Sequence, residues 1–191
     1  HYLSWGWQDL DDKVIPVGAL ISPIKNKNKK IQNKSTLLLI SSAPRYSFGL
    51  MSMPISGQWV DYFDNQMEFY ENLPKNISNN VTVRLYPHDY EWSQFSRWRD
   101  RFPNSKIDEC KVDFNKVLAN TKLFISGWNS TTYLQSMMSN IPTVIFWDSK
   151  YFELRDSSTE LFDQLRKVGI FHDNPTSAVR HVDYIYNDID A

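Results

Sequence analysis

The sequence predicts an α/β fold, a three-layer Rossmann-like parallel sheet flanked by helices. Three observations predict it. Short strand-like runs recur at residues 36–40, 81–86, 123–125 and 141–148, and all but 81–86 are continuously apolar at their centres rather than alternating, as in strands buried on both faces. Amphipathic segments at helical spacing separate them, so strand and helix alternate, the order that builds parallel sheets. The loops at the carboxyl ends of the runs, residues 41–46, 87–90, 127–131 and 148–153, each carry polar or ionisable residues. Ligands of such sheets bind at those ends, near the point where strand order reverses.

The elements follow in order. Residues 1–20 carry Tyr2, Leu3, Trp5 and Trp7 around Gly6, then Val14-Ile15-Pro16-Val17-Gly18. They read as a short strand and an extended connection ending in a Pro/Gly turn. Lys25-Asn26-Lys27-Asn28-Lys29-Lys30 reads as a solvated loop, with a phosphate- or membrane-binding patch as the alternative. After the strand at 36–40 comes a long loop to about residue 56, and long loops after strands often carry function. Residues 58–73 place Trp59, Val60, Phe63, Met67, Phe69 and Tyr70 on one helical face, and Pro74 ends that helix.

Beyond the strand at 81–86, Trp92, Phe95, Trp98 and Phe102 mark a helix stopped by Pro103. Residues 106–110 form a weak strand and 113–119 a short helix. Leu123-Phe124-Ile125 leads through Gly127 into a helix on which Tyr133, Leu134, Met137 and Met138 recur. The strand at 141–148 precedes a helix over 153–168. Residues 169–172 read as a further short strand, and Pro175 opens the final helix, which runs to about residue 188.

Bulk properties bound the function. A chain of 191 residues holds one domain with a sizeable core, or a domain plus an arm. Aromatic residues reach 15 %, with seven Trp, which favours large side chains in the core or lining a pocket. The net charge of −1 gives no argument for nucleic acid as a partner. The single cysteine, Cys110, excludes an internal disulfide framework and a cysteine-rich zinc site, which fits a reducing compartment. No apolar run approaches a membrane span. The chain starts on His1 inside a patterned segment, so it reads as a piece of a longer protein.

The candidate site residues come from the strand-end loops. Asn129, Ser130 and Thr131 are residue types that cap helices. A helix starting at the carboxyl end of a parallel strand presents free N–H groups and a positive dipole end to an anion. With the hydroxyls of Ser130, Thr131 and Thr132 it makes a seat for a diphosphate; an ordinary capped helix without ligand is the alternative. Ser42 and Arg45 lie in the first loop, and Arg45, beyond the strand end, is placed for an anion. Arg84, inside a strand, reads as the partner of a carboxylate on a helix. His88 is suited to donating to a phosphate or acting as general acid or base, against the alternative of a surface histidine. Asp148 and Glu153 flank Tyr151, where a carboxylate accepts from sugar hydroxyls; Asp148 equally reads as a cap of the next helix. His172 and His181 lack metal-like partners and read as structural or exposed. No Gly-rich dinucleotide fingerprint, Gly-Lys-Ser/Thr phosphate loop or Gly-x-Ser-x-Gly elbow is present.

Four segments carry a resemblance: Ser4-Trp5-Gly6-Trp7, Arg84-Leu85-Tyr86-Pro87-His88-Asp89-Tyr90, Asn129-Ser130-Thr131-Thr132-Tyr133-Leu134 and Ile141-Pro142-Thr143-Val144-Ile145-Phe146-Trp147-Asp148. With them the chain resembles the C-terminal half of a GT-B glycosyltransferase, and most nearly a transferase family of bacterial surface-carbohydrate gene clusters. It is more distantly similar to capsule-polymer transferases and teichoic acid glycerophosphotransferases. The resemblance implies residues 1–20 as an interdomain linker with a strand remnant, and residues 21–191 as a nucleotide-donor-binding domain. It implies His88 at the donor phosphate, as the one catalytic candidate, with Asn129, Ser130 and Thr131 at the diphosphate. Asp148 or Glu153 falls at the ribose. A nucleotide-activated sugar is then the substrate, with no cofactor and no metal. A glycan or lipid-linked acceptor is held by a missing N-terminal domain, so the fragment is not active alone. The implied location is the cytoplasm, with peripheral association of the longer protein at the inner face of the plasma membrane. The absence of a clean Glu-x7-Glu pattern leaves the stereochemistry open. Two rival readings are a nucleotide-sugar 2-epimerase, which lacks its Asp-Ser-Gly-Gly turn here, and a non-catalytic binding or scaffold domain of the same fold.

Overall fold

The computed structural model describes residues 1–8, 13–19, 35–46 and 53–189. The basic run at 25–30 lies outside the described residues. Near the start, β1 (Tyr2–Ser4) and β2 (Val14–Pro16) pair in parallel as a small sheet of their own, where the sequence had suggested one strand and an extended connection. Then β3 (Ser35–Ile40), β4 (Val81–Leu85), β5 (Lys106–Asp108), β6 (Thr121–Ser126), β7 (Thr143–Phe146) and β8 (Phe171–His172) form a second sheet. Its order is β5-β4-β3-β6-β7-β8, and every pairing is parallel. The chain moves outward from β3 to β5 and then crosses to β6 on the other side, so strand order reverses between β3 and β6. This is the three-layer Rossmann-like arrangement expected from the alternating runs.

The central strands explain themselves. Leu37 and Leu38 point to opposite faces and both are fully buried, as are Leu123, Phe124 and Ile125. A strand buried on both faces needs a helix layer on each. Each such side chain contributes roughly 1.5–3 kcal/mol of burial. The helices are α1 (Gln58–Asn72), α2 (Lys75–Ser78), α3 (Gln94–Arg101), α4 (Phe114–Leu118), α5 (Thr131–Met138), α6 (Asp156–Lys167) and α7 (Pro175–Ile185). From α1, Trp59, Phe63, Met67 and Phe69 enter the core. Among the described residues no helix is long and apolar enough to cross a membrane.

Some boundaries differ from the sequence reading. Pro74 ends α1 but also opens the short α2, because its fixed φ suits a first helical turn. The helix expected from Glu153 starts at Asp156, so Glu153 lies in the preceding loop. The helix marked by Trp92 starts at Gln94; Asp89 accepts from the N–H groups of Ser93 (2.8 Å) and Gln94 (2.7 Å) and so sets its first turn. Arg84 pairs with Asp108 on the neighbouring strand β5, not with a helix carboxylate, at 2.5 Å, and also donates to the carbonyl of Val112 at 3.0 Å. His172 and His181 are both half-buried. The His172 Nε2–H faces the carbonyl of Gly169 (3.0 Å), so Nδ1 is left to accept from the Ser177 hydroxyl at 2.6 Å.

Two outcomes follow for stability. Asp108→Ala leaves the Arg84 guanidinium buried without its carboxylate and should cost about 3 kcal/mol in urea unfolding; the paired change Arg84→Met with Asp108→Leu should cost clearly less. Burial lowers the pKa of both His172 and His181. The unfolded chain therefore binds more protons in that range, and stability rises with pH there and is lost as pH falls. The drop in urea midpoint between about pH 7.5 and about pH 5.5 should shrink in His172→Gln.

Candidate functional site at the carboxyl edge of the sheet

The reversal point between β3 and β6 places two loops side by side. The β3 exit is held by aromatic side chains. The Ser41 N–H donates to the Tyr62 hydroxyl at 2.9 Å, and the Trp59 indole N–H donates to the Ser41 carbonyl at 3.4 Å. The Trp92 indole N–H donates to the carbonyl of Ala43 at 2.8 Å. Burial pushes the Tyr62 phenol far above its usual range, so it stays protonated. Trp59 stacks on Trp92 with ring centres 4.7 Å apart. These bonds fix the backbone from which Ser42 and Arg45 project.

On the other side, β6 runs through Gly127 and Trp128 into α5. The Trp128 N–H donates to the buried Ser126 hydroxyl at 3.3 Å, and its ring meets Tyr62 and Phe152 edge-on at 4.8 and 5.3 Å. Gly127 is required by close approach. A Cβ there would stand 2.1–2.4 Å from the side-chain amide of Gln66, which is buried on α1.

Ser130 occupies the cap position of α5, but its side chain does not cap the helix. It bonds instead to the Thr132 hydroxyl at 2.8 Å, while Asn129 accepts from the Tyr133 hydroxyl at 3.3 Å. Burial raises Tyr133 to about 12. The sequence had offered Asn129, Ser130 and Thr131 as caps. Instead, among the described residues no side chain caps the first turn of α5, as is also true of the cap residues of α1, α2 and α6, whereas α4 and α7 are capped by Asp113 and Asn174.

The other candidates fall around this edge. Ser42 is buried, and its hydroxyl has no partner among the described residues. Arg45 turns to the β4 side: it donates to the Glu91 carbonyl at 3.4 Å and lies over the Trp92 ring at 5.3 Å. His88 is exposed, with its ring centre 5.9 Å from Tyr86 and 6.0 Å from Tyr90. Asp148 accepts from the Lys150 N–H at 2.9 Å, and its carbonyl accepts from the Tyr151 N–H at 3.1 Å. It therefore closes a local turn rather than capping α6, which begins eight residues later. Glu153 is exposed in the same loop. The Tyr151 hydroxyl bridges this loop to Asp61 on α1. Among the described residues no hydrogen bond joins His88 or Arg45 to the α5 turn. Clefts of about 490 and 530 Å³ flank the loop that carries His88, on the β4 side.

Sequence reasoning passed over several groups here. Gln66 Oε1, Gln94 Oε1 and Trp147 Nε1 are buried without hydrogen-bond partners among the described residues. Gln66 faces the Gly127 turn, Gln94 donates to the Tyr86 carbonyl just beyond β4, and Trp147 directly follows β7. With Ser42 they place four of the five unpartnered buried side-chain atoms at the carboxyl edge. Buried polar groups are normally paired. A polar residue inside the apolar stripe of α1 was the available signal for Gln66.

A family profile described as LIC12162 family transferase matches residues 1–191. The chain belongs to the LIC12162 family of transferases. No curated protein and no solved structure gives a match. In this LIC12162 family member the match takes in β1, β2 and every strand of the six-stranded sheet.

Gly127→Ala should lower stability by about 1–3 kcal/mol by forcing the Gln66 amide aside. Combined with Gln66→Ala it should cost less than the sum of the two single changes, as read from urea unfolding of all four species.

Proposed function

We propose that this chain is the nucleotide-sugar-binding domain of a glycosyltransferase of the GT-B type, working in bacterial surface-polysaccharide assembly. The donor diphosphate sits at the start of α5, beside the reversal point, on the first-turn N–H groups and the hydroxyls of Ser130, Thr131 and Thr132, of which Ser130 and Thr132 bond to each other in its absence. The single observation that carries the reading is that the capping side chain of α5 is turned away from its helix. Free N–H groups and the positive end of the helix dipole favour a negative ligand at that place. The unpartnered buried groups around the same edge support it. The resemblance in the four sequence segments adds the sugar and the polysaccharide context.

The reaction is displacement of a nucleoside phosphate from an activated sugar. The bond from the anomeric carbon to the phosphate oxygen breaks, the acceptor oxygen bonds to that carbon, and the acceptor hydroxyl gives its proton to a base outside this domain. Negative charge grows on the leaving phosphate, and preorganised donors lower the barrier most when they point at that charge. In this reading α5 supplies those donors. His88, exposed on the β4 exit loop, donates to a phosphate oxygen from the opposite side. Asp148, already committed to a turn, presents its remaining carboxylate oxygen to a hydroxyl of ribose or sugar, and Glu153 serves the same loop. The acceptor, a glycan or lipid-linked chain, is bound by residues outside this domain.

Calorimetric titration with UDP, CDP, CMP and GDP tests the reading. One nucleotide should bind, about tenfold more weakly to the Ser130→Ala/Thr131→Ala variant. His88→Ala should weaken it by a smaller factor. Equal binding by wild type and the double variant would remove the α5 seat, and silence of the longer protein toward all four would remove the transferase assignment proposed here.

A further inference from the structure

The cleft of about 530 Å³ on the β4 side of the reversal point carries two guanidinium groups, Arg45 and Arg97. Arg97 donates through Nε to the Trp92 carbonyl at 2.9 Å, and Arg45 through Nη1 to the Glu91 carbonyl at 3.4 Å. Two successive carbonyls thus aim two cations into one space. That geometry depends on the loop backbone. Tyr90, Glu91 and Ser93 all adopt positive φ, at 51°, 65° and 53°, a region that side-chain-bearing residues enter rarely and at a cost of about 1–3 kcal/mol each. Trp92 anchors the loop through its bond to Ala43 and its stack on Trp59, and Arg45 lies over its outer face. Ser56 and Gly57, at the start of α1, form the facing wall, and Tyr46 stands exposed at the rim.

Neither guanidinium has a carboxylate partner among the described residues; Glu91, the one acid among the described lining residues, bonds to Arg45 through its backbone carbonyl. Surface arginines usually find an acid or spread into solvent. Here both are held by carbonyls, which orient them without neutralising their charge. Two guanidinium groups lining one cleft suit an oxyanion, and a phosphoryl group offers an oxygen to each of them.

We propose that this cleft is a second oxyanion site, which binds the phosphoryl group of a phosphorylated substrate independently of the nucleotide seat at α5. The site belongs to the β3–β4 side of the sheet, and its residues take no part in the α5 turn.

Calorimetric titration of the full chain at constant ionic strength tests it, with inorganic phosphate, glycerol 3-phosphate and acetate as probes. Both phosphates should bind, and Arg97→Gln and Arg45→Gln should each weaken them about tenfold. Arg97→Lys, which keeps the charge but loses the fork, should fall between wild type and Arg97→Gln, and it carries the test should Arg97→Gln fail to fold. Arg155→Gln, at an exposed arginine before α6, should bind as wild type does. Tighter binding of glycerol 3-phosphate assigns the site to an esterified phosphate, and tighter binding of inorganic phosphate to the free ion. Acetate binding as tightly as phosphate overturns the phosphoryl assignment. No phosphate binding, or binding untouched by the arginine changes, overturns the site. A nucleotide titration of Arg97→Gln separates this result from the α5 reading, since that titration should match wild type.

Discussion

The exit of β3 is the constraint on which the carboxyl edge depends. Three backbone groups of Ser41 and Ala43 are satisfied by Tyr62, Trp59 and Trp92 rather than by other backbone. A loop held by backbone alone tolerates small shifts. One held by rings that are themselves locked in the core does not, because moving it means repacking Trp59, Phe63 and Trp98 together. Two of the three rings come from α1 and the third from the β4 exit loop. The core of one helix layer thereby sets the position of the loop that carries Ser42 and Arg45.

Across β3 the situation is inverted. Among the described residues, the α5 side has groups without side-chain partners, the first-turn N–H groups and the amide oxygen of Gln66 beside Gly127. Elsewhere Asp113, Asn174 and Asp89 cap the starts of α4, α7 and α3, while the cap residues of α1, α2 and α6, like that of α5, give their helices no side-chain bond. What sets α5 apart is its place, at the reversal of strand order, where ligands of this fold class bind. Four of the buried side-chain atoms unpartnered among the described residues gather at the same carboxyl edge of the sheet. The α5 turn and the arginine cleft divide that edge into two sides with different chemistry, N–H groups and hydroxyls on one and guanidinium groups on the other.

The sheet and its flanking helices were legible because strands buried on both faces must be continuously apolar, and Leu37–Leu39 and Leu123–Ile125 have no polar interruption. The edges of elements were less so. Glu153 reads as a helix start by spacing, yet the turn closed by Asp148 and the bridge from Tyr151 to Asp61 delay α6 to Asp156. The site was legible as a set of loops, since polar residues at strand ends are visible in sequence. Pair geometry was not. The turning of Ser130 toward Thr132, and of Arg45 toward Trp92, is decided by residues distant in the chain or by one rotamer, and no periodicity encodes either. Nothing in the sequence singles out Arg97, whose bond to the Trp92 carbonyl comes from a loop with left-handed backbone at Tyr90, Glu91 and Ser93.

The strand order also has a consequence for how the chain is made. β3 lies at the middle of the sheet but leads it in sequence, and its second neighbour, β6, begins roughly 80 residues after β3 ends, from Ile40 to Thr121. During synthesis at about 5–20 residues per second, β3 waits on the order of ten seconds for that neighbour. Throughout the wait one hydrogen-bonding edge of a central apolar strand stays open, an edge of the kind that can pair with another chain.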